Sequence, residues 1–168
     1  MKGNLDQTQQ SIYFSPIGQL IITQQGAAVT EIQWLDRKHE LPEIEDGPIR
    51  HWLDNYFTGQ CDGHFSFDLK PQGTLFQQRV WHAMAQIPVG QTLTYGEIAK
   101  SLKSSAQAVG NACRCNNIVI MIPCHRVLSA NGNGGYAGQT QGVMMQRKLG
   151  LLALEVGVDP KEIVIDGS

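Results

Sequence analysis

The residues best suited to covalent chemistry are a cysteine and a histidine that follow each other, Cys124 and His125. A free thiol has a pKa of about 8.5, so only a few per cent of it is nucleophilic thiolate at neutral pH. An imidazole that accepts the proton raises that fraction. Because neighbouring side chains on an extended chain point apart, a water molecule is expected to relay the proton. Glu155 is a candidate to orient the imidazole, which completes a set of nucleophile, base and orienting group.

The same residues also allow less reactive interpretations. Cysteine is among the most buried residue types, so Cys124 can be a small core residue with His125 as its hydrogen-bonded neighbour. Cys113 and Cys115 suggest a metal site, but two residues apart on a helix they face nearly opposite sides, and no Cys-x-x-Cys pair exists. We therefore expect no bound metal. Without a secretory signal, these thiols and Cys61 are expected to be free.

The segments around Cys124 predict how it is held in place. Five apolar residues in a row, 118–122, predict a buried strand that Pro123 ends, so Cys124 is expected at the end of that strand. A glycine-rich loop follows at residues 131–135. A last helix is predicted over about 143–155 and carries Glu155 at its end.

Three pairs of residues in the second half have the spacing of a helix capping box: Thr74 with Gln77, Thr94 with Glu97, and Ser104 with Gln107. Only residues 103–105 separate the second and third of these helices, which predicts a helix-turn-helix. Its second helix presents Gln107, Asn111 and Arg114 on a polar face. Helical hairpins are also common packing units, so this shape alone does not establish DNA binding.

The first half of the chain is predicted to be β-rich. Alternating and turn-bounded segments predict strands over residues 11–14, 19–23, 27–34 and 64–68. Pro48 and Gly59 frame a predicted helix over 49–57. Pro71-Gln72-Gly73 is the predicted boundary between an N-terminal domain, residues 1–72, and a C-terminal domain, residues 73–168. The expected fold class is therefore α+β, with a small β-rich domain followed by a mostly helical one.

Charge is distributed unevenly along a chain of ordinary globular composition. The 168 residues are 42% hydrophobic and 17% charged, with a net charge of −2. Residues 1–74 hold 5 basic and 10 acidic residues, whereas residues 75–154 hold 7 basic residues and one acidic residue. This asymmetry favours a polyanion-binding face in the second half. No apolar leader or membrane-length run is present, so we expect a cytoplasmic protein, or a nuclear one in a eukaryote, that does not bind membranes.

The string Ile122-Pro123-Cys124-His125-Arg126-Val127 resembles the active-site signature of the methylated-DNA–protein-cysteine methyltransferases, also called O6-alkylguanine-DNA alkyltransferases. Further segments resemble the same family in the same order: Phe76-Gln77-Gln78-Arg79-Val80-Trp81, Ile87-Pro88-Val89-Gly90, Thr94-Tyr95-Gly96-Glu97-Ile98-Ala99, Ala108-Val109-Gly110, Gly135-Tyr136-Ala137-Gly138 and Leu151-Leu152-Ala153-Leu154-Glu155. The resemblance covers about residues 75–157. The looser match before it is expected, because the family's ribonuclease-H-like N-terminal domain varies.

The resemblance implies a role for each matching catalytic residue. Cys124 matches the alkyl acceptor, His125 the water-linked base and Glu155 the residue that orients this base. Asn116 matches the asparagine that braces the reactive segment. Tyr95 matches the tyrosine that donates a proton to the guanine leaving group. These roles imply single-turnover transfer of an alkyl group to Cys124, without a cofactor.

The resemblance also implies how the damaged base is bound. The main-chain carbonyls of Cys124 and Val127 contact the exocyclic amine, and Tyr136 forms a wall of the pocket. The backbone around Ala137 and Gly138 faces the oxygen that carries the lesion. The implied partner is double-stranded DNA with an alkylated guanine flipped out of the helix, bound by a monomer.

Five residues around the helix-turn-helix are expected to contact DNA: Thr94, Ser105, Gln107, Asn111 and Arg114. The family carries an arginine at the position of Gln107, where it fills the place of the flipped base. Glutamine is uncharged and shorter, which predicts slower flipping or weaker DNA binding. The segment 139–143 is also longer than the family pattern.

Three other classes of protein remain open at this level. Alkyltransferase-like proteins bind the lesion without removing it, but they lack the acceptor cysteine that is present here as Cys124. Gln107 keeps that alternative open. A cysteine hydrolase would use the same residues repeatedly and would leave the basic half without a role. A helix-turn-helix regulator usually dimerises and needs no nucleophile.

Overall fold

An antiparallel meander opens the fold of this chain, for which a computed structural model describes residues 7–165. Strands β1 (Thr8–Ser15), β2 (Gly18–Gln25) and β3 (Ala28–Leu35) lie in that order in one sheet. Leu20 and Ile22 of β2 are fully buried on the face that packs against the rest of the molecule. The first three predicted strands are confirmed; β1 and β2 are longer than predicted, and β3 has the predicted length but begins one residue later.

Helix α1 (Pro48–Phe57) covers this sheet and begins with Pro48, as predicted. The strand predicted over 64–68 is wrong, because only Leu69 just beyond it makes a backbone bridge, to Val29. Phe65 and Phe67 instead stack on each other, with ring centroids 5.1 Å apart, and Phe65 packs edge-on against Trp52. The alternation in this segment reflects an aromatic cluster and not a sheet.

The second half contains helices α2 (Leu75–Ala85), α3 (Tyr95–Leu102) and α4 (Ala106–Arg114). The capping boxes at Thr74 and Thr94 are both formed, as predicted. The third predicted box is wrong, because Ser105 is the N-cap of α4 and accepts a hydrogen bond from the Ala108 amide. Ser104 belongs to the preceding turn, where its amide donates to the Ala99 carbonyl.

The two predicted helices of the helix-turn-helix, α3 and α4, pack against each other. Lys103 ends α3 in the left-handed conformation, with φ of 54°. Trp81 of α2 donates its indole N–H to the Ala112 carbonyl over 2.8 Å and so fixes α2 against α4. Val109, Ala112 and Cys113 form the buried face of α4.

The strand predicted over 118–122 is wrong, although all five residues are buried as expected. The segment folds into turns, and only Ile118 makes a bridge, to Ile32 of β3. Ile120 has φ of 72°, which a β-branched residue adopts only when the surrounding structure imposes it. An apolar run indicates burial, but it does not separate an extended strand from a buried loop.

A one-turn 3₁₀ helix, Cys124–Arg126, takes the place of the expected strand end. It leads into β5 (Val127–Leu128), which pairs in parallel with β4 (Leu93–Thr94) directly before α3. This short pairing brings the start of α3, and with it Tyr95, beside the segment that carries the cysteine.

Helix α5 (Val143–Glu155) spans the predicted residues and completes the fold. Its buried residues join a hydrophobic core that includes residues from both halves of the chain. The domain boundary at Pro71 and the likeness of the first half to ribonuclease H stay predictions. In residues 7–165, no helix combines the length and apolar character that crossing a membrane requires.

Candidate active site

Cys124 lies at the inner end of a cavity of about 280 Å³ between α4 and the loop before α5. Cys124 is only 6% exposed, so a reagent or substrate reaches its thiol through this cavity. The lining residues are Tyr95, Gln107, Gly110, Asn111, Cys113, Arg114, Cys124, Gly135, Tyr136, Ala137, Gly138, Gln139 and Thr140. The cavity thus brings together the predicted nucleophile, Tyr95, and the predicted pocket residues Tyr136, Ala137 and Gly138. Val127, which is also predicted to bind the base, does not line the cavity.

Asn116 links the cysteine to the buried loop that precedes it. Its amide nitrogen donates to the Ile122 carbonyl over 2.8 Å and lies 3.2 Å from the Cys124 sulfur. Its amide oxygen accepts from the Ile118 amide over 3.0 Å. Because Asn116 is itself buried, these contacts fix both ends of the turn that contains Ile120.

His125 and Glu155 form a close pair behind the cysteine. The His125 Nε2 atom lies 2.6 Å from Glu155 Oε1, and the two side chains are 0% and 1% exposed. Burial lowers the pKa of His125, and this effect outweighs the opposing contribution of Glu155. The imidazole is therefore neutral at rest and is able to accept a proton.

The position of Glu155 determines which imidazole nitrogen carries hydrogen. A carboxylate only accepts hydrogen bonds, so the nitrogen that faces it, Nε2, holds the proton. The other nitrogen, Nδ1, is buried and makes no hydrogen bond with any residue in 7–165. The lone pair of the neutral His125 imidazole is thus on Nδ1, the nitrogen that does not contact Glu155.

Arg126 holds the Glu155 carboxylate from the other side. Its Nε and Nη2 atoms donate to Glu155 over 2.9 Å and 2.8 Å, and its Nη1 donates to the Ile87 carbonyl. Burial would raise the pKa of Glu155, but hydrogen bonds and charges from His125 and Arg126 outweigh it and hold this pKa far below its usual range. Glu155 therefore stays ionised.

Lys148 is fully buried below the cavity and fixes the backbone on two sides of it. Its Nζ atom donates to the Val127 carbonyl over 2.6 Å and to the Gly135 carbonyl over 2.9 Å. Burial lowers the pKa of Lys148 to about 8. Burial also raises the pKa of Cys124, whereas Asn116 and Lys148 act in the opposite direction. The resting thiol is protonated, so its reaction requires a base.

Tyr95 projects from the start of α3 to the glycine-rich loop. Its hydroxyl donates weakly to the Gly135 carbonyl over 3.4 Å, and burial raises its pKa to about 12. Gly134 has φ of 70°, and a β-carbon at this position would lie 2.9 Å from the Tyr95 ring. The close approach of the tyrosine thus depends on a glycine at 134.

The outer side of the cavity is a tight turn. Tyr136 and Gln139 exchange two backbone hydrogen bonds of 2.7 Å and 2.9 Å. Ala137 and Gly138 between them both have positive φ, 49° and 79°, as a type I′ turn requires. The Gly138 backbone also approaches Arg114 closely, because a β-carbon at 138 would lie 3.5 Å from it.

Tyr136 is anchored by the first half of the chain. Its hydroxyl accepts a hydrogen bond of 3.0 Å from the Trp34 indole N–H. The Arg147 guanidinium lies 4.8 Å above the Trp34 ring and pairs with Asp36 over 2.7 Å. Strand β3 therefore holds one wall of the cavity in place.

The five residues predicted to contact DNA belong to two structural groups. Gln107, Asn111 and Arg114 are exposed on α4 and line the mouth of the cavity. Thr94 and Ser105 cap α3 and α4, and each side chain accepts a hydrogen bond from its own helix. Thr94 and Ser105 do not line the cavity.

Not all of the positive charge in the second half lies on the surface. Of the seven basic residues in 75–154, three are buried: Arg126, Arg147 and Lys148. The exposed ones are Arg79, Lys100, Lys103 and Arg114. The charge asymmetry of the sequence therefore overstates the charge that is available to a polyanion.

Several residues of the site have no local signal in the sequence. Tyr56 contacts Glu155 from α1, Trp34 contacts Tyr136 from β3, and Lys148 contacts two loop carbonyls. Tyr56 has the pattern of an ordinary core residue, and Lys148 counts in the sequence among the cations of a polyanion-binding half although it is buried. All four cysteines are free. Within residues 7–165, no group of three or more His, Cys, Asp and Glu side chains is placed to hold a metal ion.

Comparison with known proteins agrees with this geometry. The family model of the 6-O-methylguanine DNA methyltransferase DNA-binding domain matches residues 75–156. The methylated-DNA–protein-cysteine methyltransferase of Mycobacterium leprae is 42% identical over an alignment of 151 positions, and the match covers 84% of this chain and 88% of that protein.

Two solved structures extend the likeness to the whole fold. The Mycobacterium tuberculosis O6-methylguanine methyltransferase superposes with a TM-score of 0.76 at 33% identity, over 96% of this chain and 97% of that one. A Mycobacterium tuberculosis structure in complex with DNA superposes with a TM-score of 0.74 at 37% identity, over 88% and 92%. The chain belongs to the family of the methylated-DNA–protein-cysteine methyltransferases.

Proposed function

We propose that this protein repairs DNA by direct reversal, transferring the alkyl group of an O6-alkylguanine to Cys124 once and irreversibly. The observation that carries the proposal is the placement of a buried thiol at the end of a cavity, backed by Asn116 and by the His125–Glu155 pair. A nucleophile reached only through a narrow cavity suits a base taken out of the duplex.

The reaction follows from the protonation states of the site. The Cys124 thiol gives its proton to Nδ1 of His125 through a water, and Glu155 stabilises the imidazolium that forms. The thiolate sulfur forms a bond to the alkyl carbon, and the bond between this carbon and guanine O6 breaks. The electron pair goes to the guanine, which takes a proton from Tyr95. A thioether has no ready leaving group, so each molecule acts once.

The base is held by the cavity wall and the backbone. The carbonyls of Cys124 and Val127 accept from the exocyclic amine of the guanine. Tyr136 packs on the base, and the backbone at Ala137 and Gly138 faces the alkylated oxygen. Because Lys148 fixes the Val127 carbonyl from behind, this acceptor is already oriented before the base arrives.

The DNA partner is a duplex bound by α3 and α4. Thr94, Ser105, Gln107, Asn111 and Arg114 face the duplex, and Gln107 takes the place of the flipped base. The protein acts as a monomer, needs no cofactor, and works in the cytoplasm, or in the nucleus of a eukaryote. A lesion-binding protein without transfer is disfavoured, because Cys124 is present and supported by a base.

The test is a mass measurement on the protein mixed with an equimolar duplex that contains one O6-methylguanine. We expect a gain of one methyl group on the peptide that holds Cys124, stopping at one per protein. Cys124→Ala is the reactive-site control, and Cys115→Ala removes an exposed thiol outside the cavity. Lesion-specific binding without a mass gain would instead establish the lesion-binding alternative.

A further inference from the structure

Tyr56 reaches the catalytic pair from helix α1, in the half of the chain that the motifs do not cover. Its hydroxyl lies 2.7 Å from Glu155 Oε1 and 3.4 Å from His125 Nε2. The ring is buried and stacks on Trp52, with ring centroids 5.4 Å apart. The hydroxyl is therefore held at the junction between the base and its carboxylate.

The direction of this hydrogen bond follows from the partners. Burial raises the pKa of Tyr56 well above its usual value, so the hydroxyl keeps its proton. Glu155 only accepts, so the Tyr56 O–H donates to it. Oε1 then receives hydrogen bonds from Tyr56, from His125 Nε2 and from Arg126. These three donors fix the position of the Glu155 carboxylate, and the fixed carboxylate in turn fixes the orientation of the His125 imidazole.

We propose that Tyr56 is a positioning residue for alkyl transfer, which fixes Glu155 and through it the tautomer and the orientation of His125. This role rests on the proposed function, because it concerns the same base. It gives the N-terminal half a part in the chemistry beyond support of the fold. Tyr56 does not touch the alkyl group or the guanine, since it lies behind the pair and does not line the cavity that contains Cys124.

Several titratable and charged groups face this pair or Tyr56 from the elements around them: Cys61 after α1, Cys124 and Arg126 on the 3₁₀ turn, Tyr136 on the loop before α5, and Lys148 on α5. Arg126 and Lys148 are cationic and oppose protonation of His125. Tyr56 itself is a neutral donor to Glu155. Removing its hydroxyl leaves more negative charge on Oε1, which stabilises the imidazolium and raises the pKa of His125.

The experiment measures the rate of Cys124 alkylation by iodoacetamide across pH, read from the mass of the Cys124 peptide, beside methyl transfer from the O6-methylguanine duplex. For Tyr56→Phe we expect the acid limb of both profiles to move to higher pH, because the neutral imidazole is lost sooner. We also expect the plateau rate to fall about fivefold, the equivalent of one ordinary hydrogen bond. The affinity for the duplex is expected to stay unchanged.

Tyr13→Phe is the matched control. Tyr13 also lies in the first half, is buried, and donates its hydroxyl over 2.8 Å to an acidic residue of α1, Asp54. This variant loses a comparable hydrogen bond but should keep the wild-type pH profile. An equal shift in Tyr13→Phe, or an unshifted profile in Tyr56→Phe, would overturn the proposal.

A second variant keeps the test decisive if Tyr56→Phe does not fold. Incorporation of 3-fluorotyrosine at position 56 keeps the ring and the hydroxyl but makes the O–H a stronger donor. The acid limb should then move to lower pH, opposite to Tyr56→Phe, and an unchanged limb would contradict the role. If iodoacetamide profiles shift as expected while no methyl is taken from the duplex, the proposed function fails and the positioning role stands.

Discussion

The two sides of the site around Cys124, here called its inner and outer walls, are built on different physical principles. The inner wall supports Cys124 from outside the cavity lining and consists of the buried side chains of His125, Glu155, Arg126 and Asn116. Short hydrogen bonds join His125, Glu155 and Arg126, and Asn116 contacts the Cys124 sulfur. The outer wall lines the cavity and consists largely of the loop from Gly135 to Thr140, which Gly134 precedes. Its shape depends on positive φ angles and on three side chains that reach it from other elements, Tyr95, Lys148 and Trp34.

This difference separates two tasks of the site. In the proposed function the inner wall transfers protons, which depends on charge and on fixed donors. We therefore expect its loss to affect both the rate of alkyl transfer and the stability of the protein. The outer wall concerns the shape offered to the base, so its changes should affect binding more than the reactivity of the thiol. A substitution in the inner wall should therefore change the reactivity of the thiol, whereas a substitution in the outer wall should change transfer from DNA and leave that reactivity unaltered.

The largest effect is expected at the centre of the inner wall, from Glu155→Gln. The amide leaves Arg126 buried without its counter-charge, so the free energy of unfolding should fall by about 3 kcal/mol. It also no longer orients the His125 imidazole as a carboxylate does, so methyl transfer should fall at least about 100-fold. The measurements are single-turnover transfer rates and urea unfolding. Glu162→Gln, an exposed residue beyond α5, is the control and should change neither.

The same variant gives a prediction on pH. The folded-state pKa of Glu155 lies below its unfolded value, so its ionisation stabilises the protein above the unfolded pKa of about 4.3, and this contribution is lost as pH falls towards the folded pKa. Wild-type stability should therefore decline with acid in this window. In Glu155→Gln this part of the decline should be absent, and a parallel decline in both proteins would contradict the account.

On the outer wall, Gly134→Ala should have the largest effect. The added methyl group meets the Tyr95 ring at 2.9 Å at a φ of 70°, so the loop and the tyrosine must separate. Transfer from the duplex should fall about tenfold or more, since a misplacement of about 1 Å has effects of this size. Gly132→Ala is the matched control, because its β-carbon meets nothing closer than 3.9 Å. Alkylation of Cys124 by iodoacetamide should be unchanged in both.

A smaller effect is expected where β3 anchors the outer wall. Trp34→Phe removes the indole donor to the Tyr136 hydroxyl, and Tyr136→Phe removes the acceptor. Each variant should weaken transfer, and the double variant should lose about 1 kcal/mol less than the sum of the two. Additive losses in this double-mutant cycle would mean that Trp34 supports the wall only through packing.

The smallest effect is a gain, expected from Gln107→Arg at the mouth of the cavity. Arginine is longer and charged, so it should fill the space left by the flipped base better and contact a phosphate. Transfer from duplex should accelerate about threefold or more, by roughly the energy of one charged contact. Transfer from a single-stranded oligonucleotide needs no such filling and should change less. A duplex rate without any gain would count against the role of this position.

Much of the inner wall was predictable from sequence because its residues are carried by local motifs. The string around Cys124 predicts a nucleophile and a base, and the end of the last predicted helix predicts Glu155 as the partner of this base. His125 and Glu155 lie 2.6 Å apart, as that prediction requires. The capping boxes at Thr74 and Thr94 place two helix starts correctly. These signals are short in range and depend on residue type and spacing alone.

The remaining features depend on contacts between distant segments. Residues 118–122 have the apolar pattern of a strand, but the left-handed Ile120 and the contacts of Asn116 turn them into a loop. The contacts of Tyr56 with Glu155 and of Trp34 with Tyr136 join residues about a hundred positions apart. No periodicity reports such contacts, since each of these aromatic residues has the pattern of an ordinary core position.

The burial of Arg126, Arg147 and Lys148 affects how the protein finds its target. Four exposed cations in the second half release few counterions, so the slope of log affinity against log salt is no steeper than about −4 for that half. We therefore expect the protein to dissociate quickly from undamaged duplex. A molecule that acts only once is then free to sample many sites, and the energy that makes it stay comes from a base that enters the cavity.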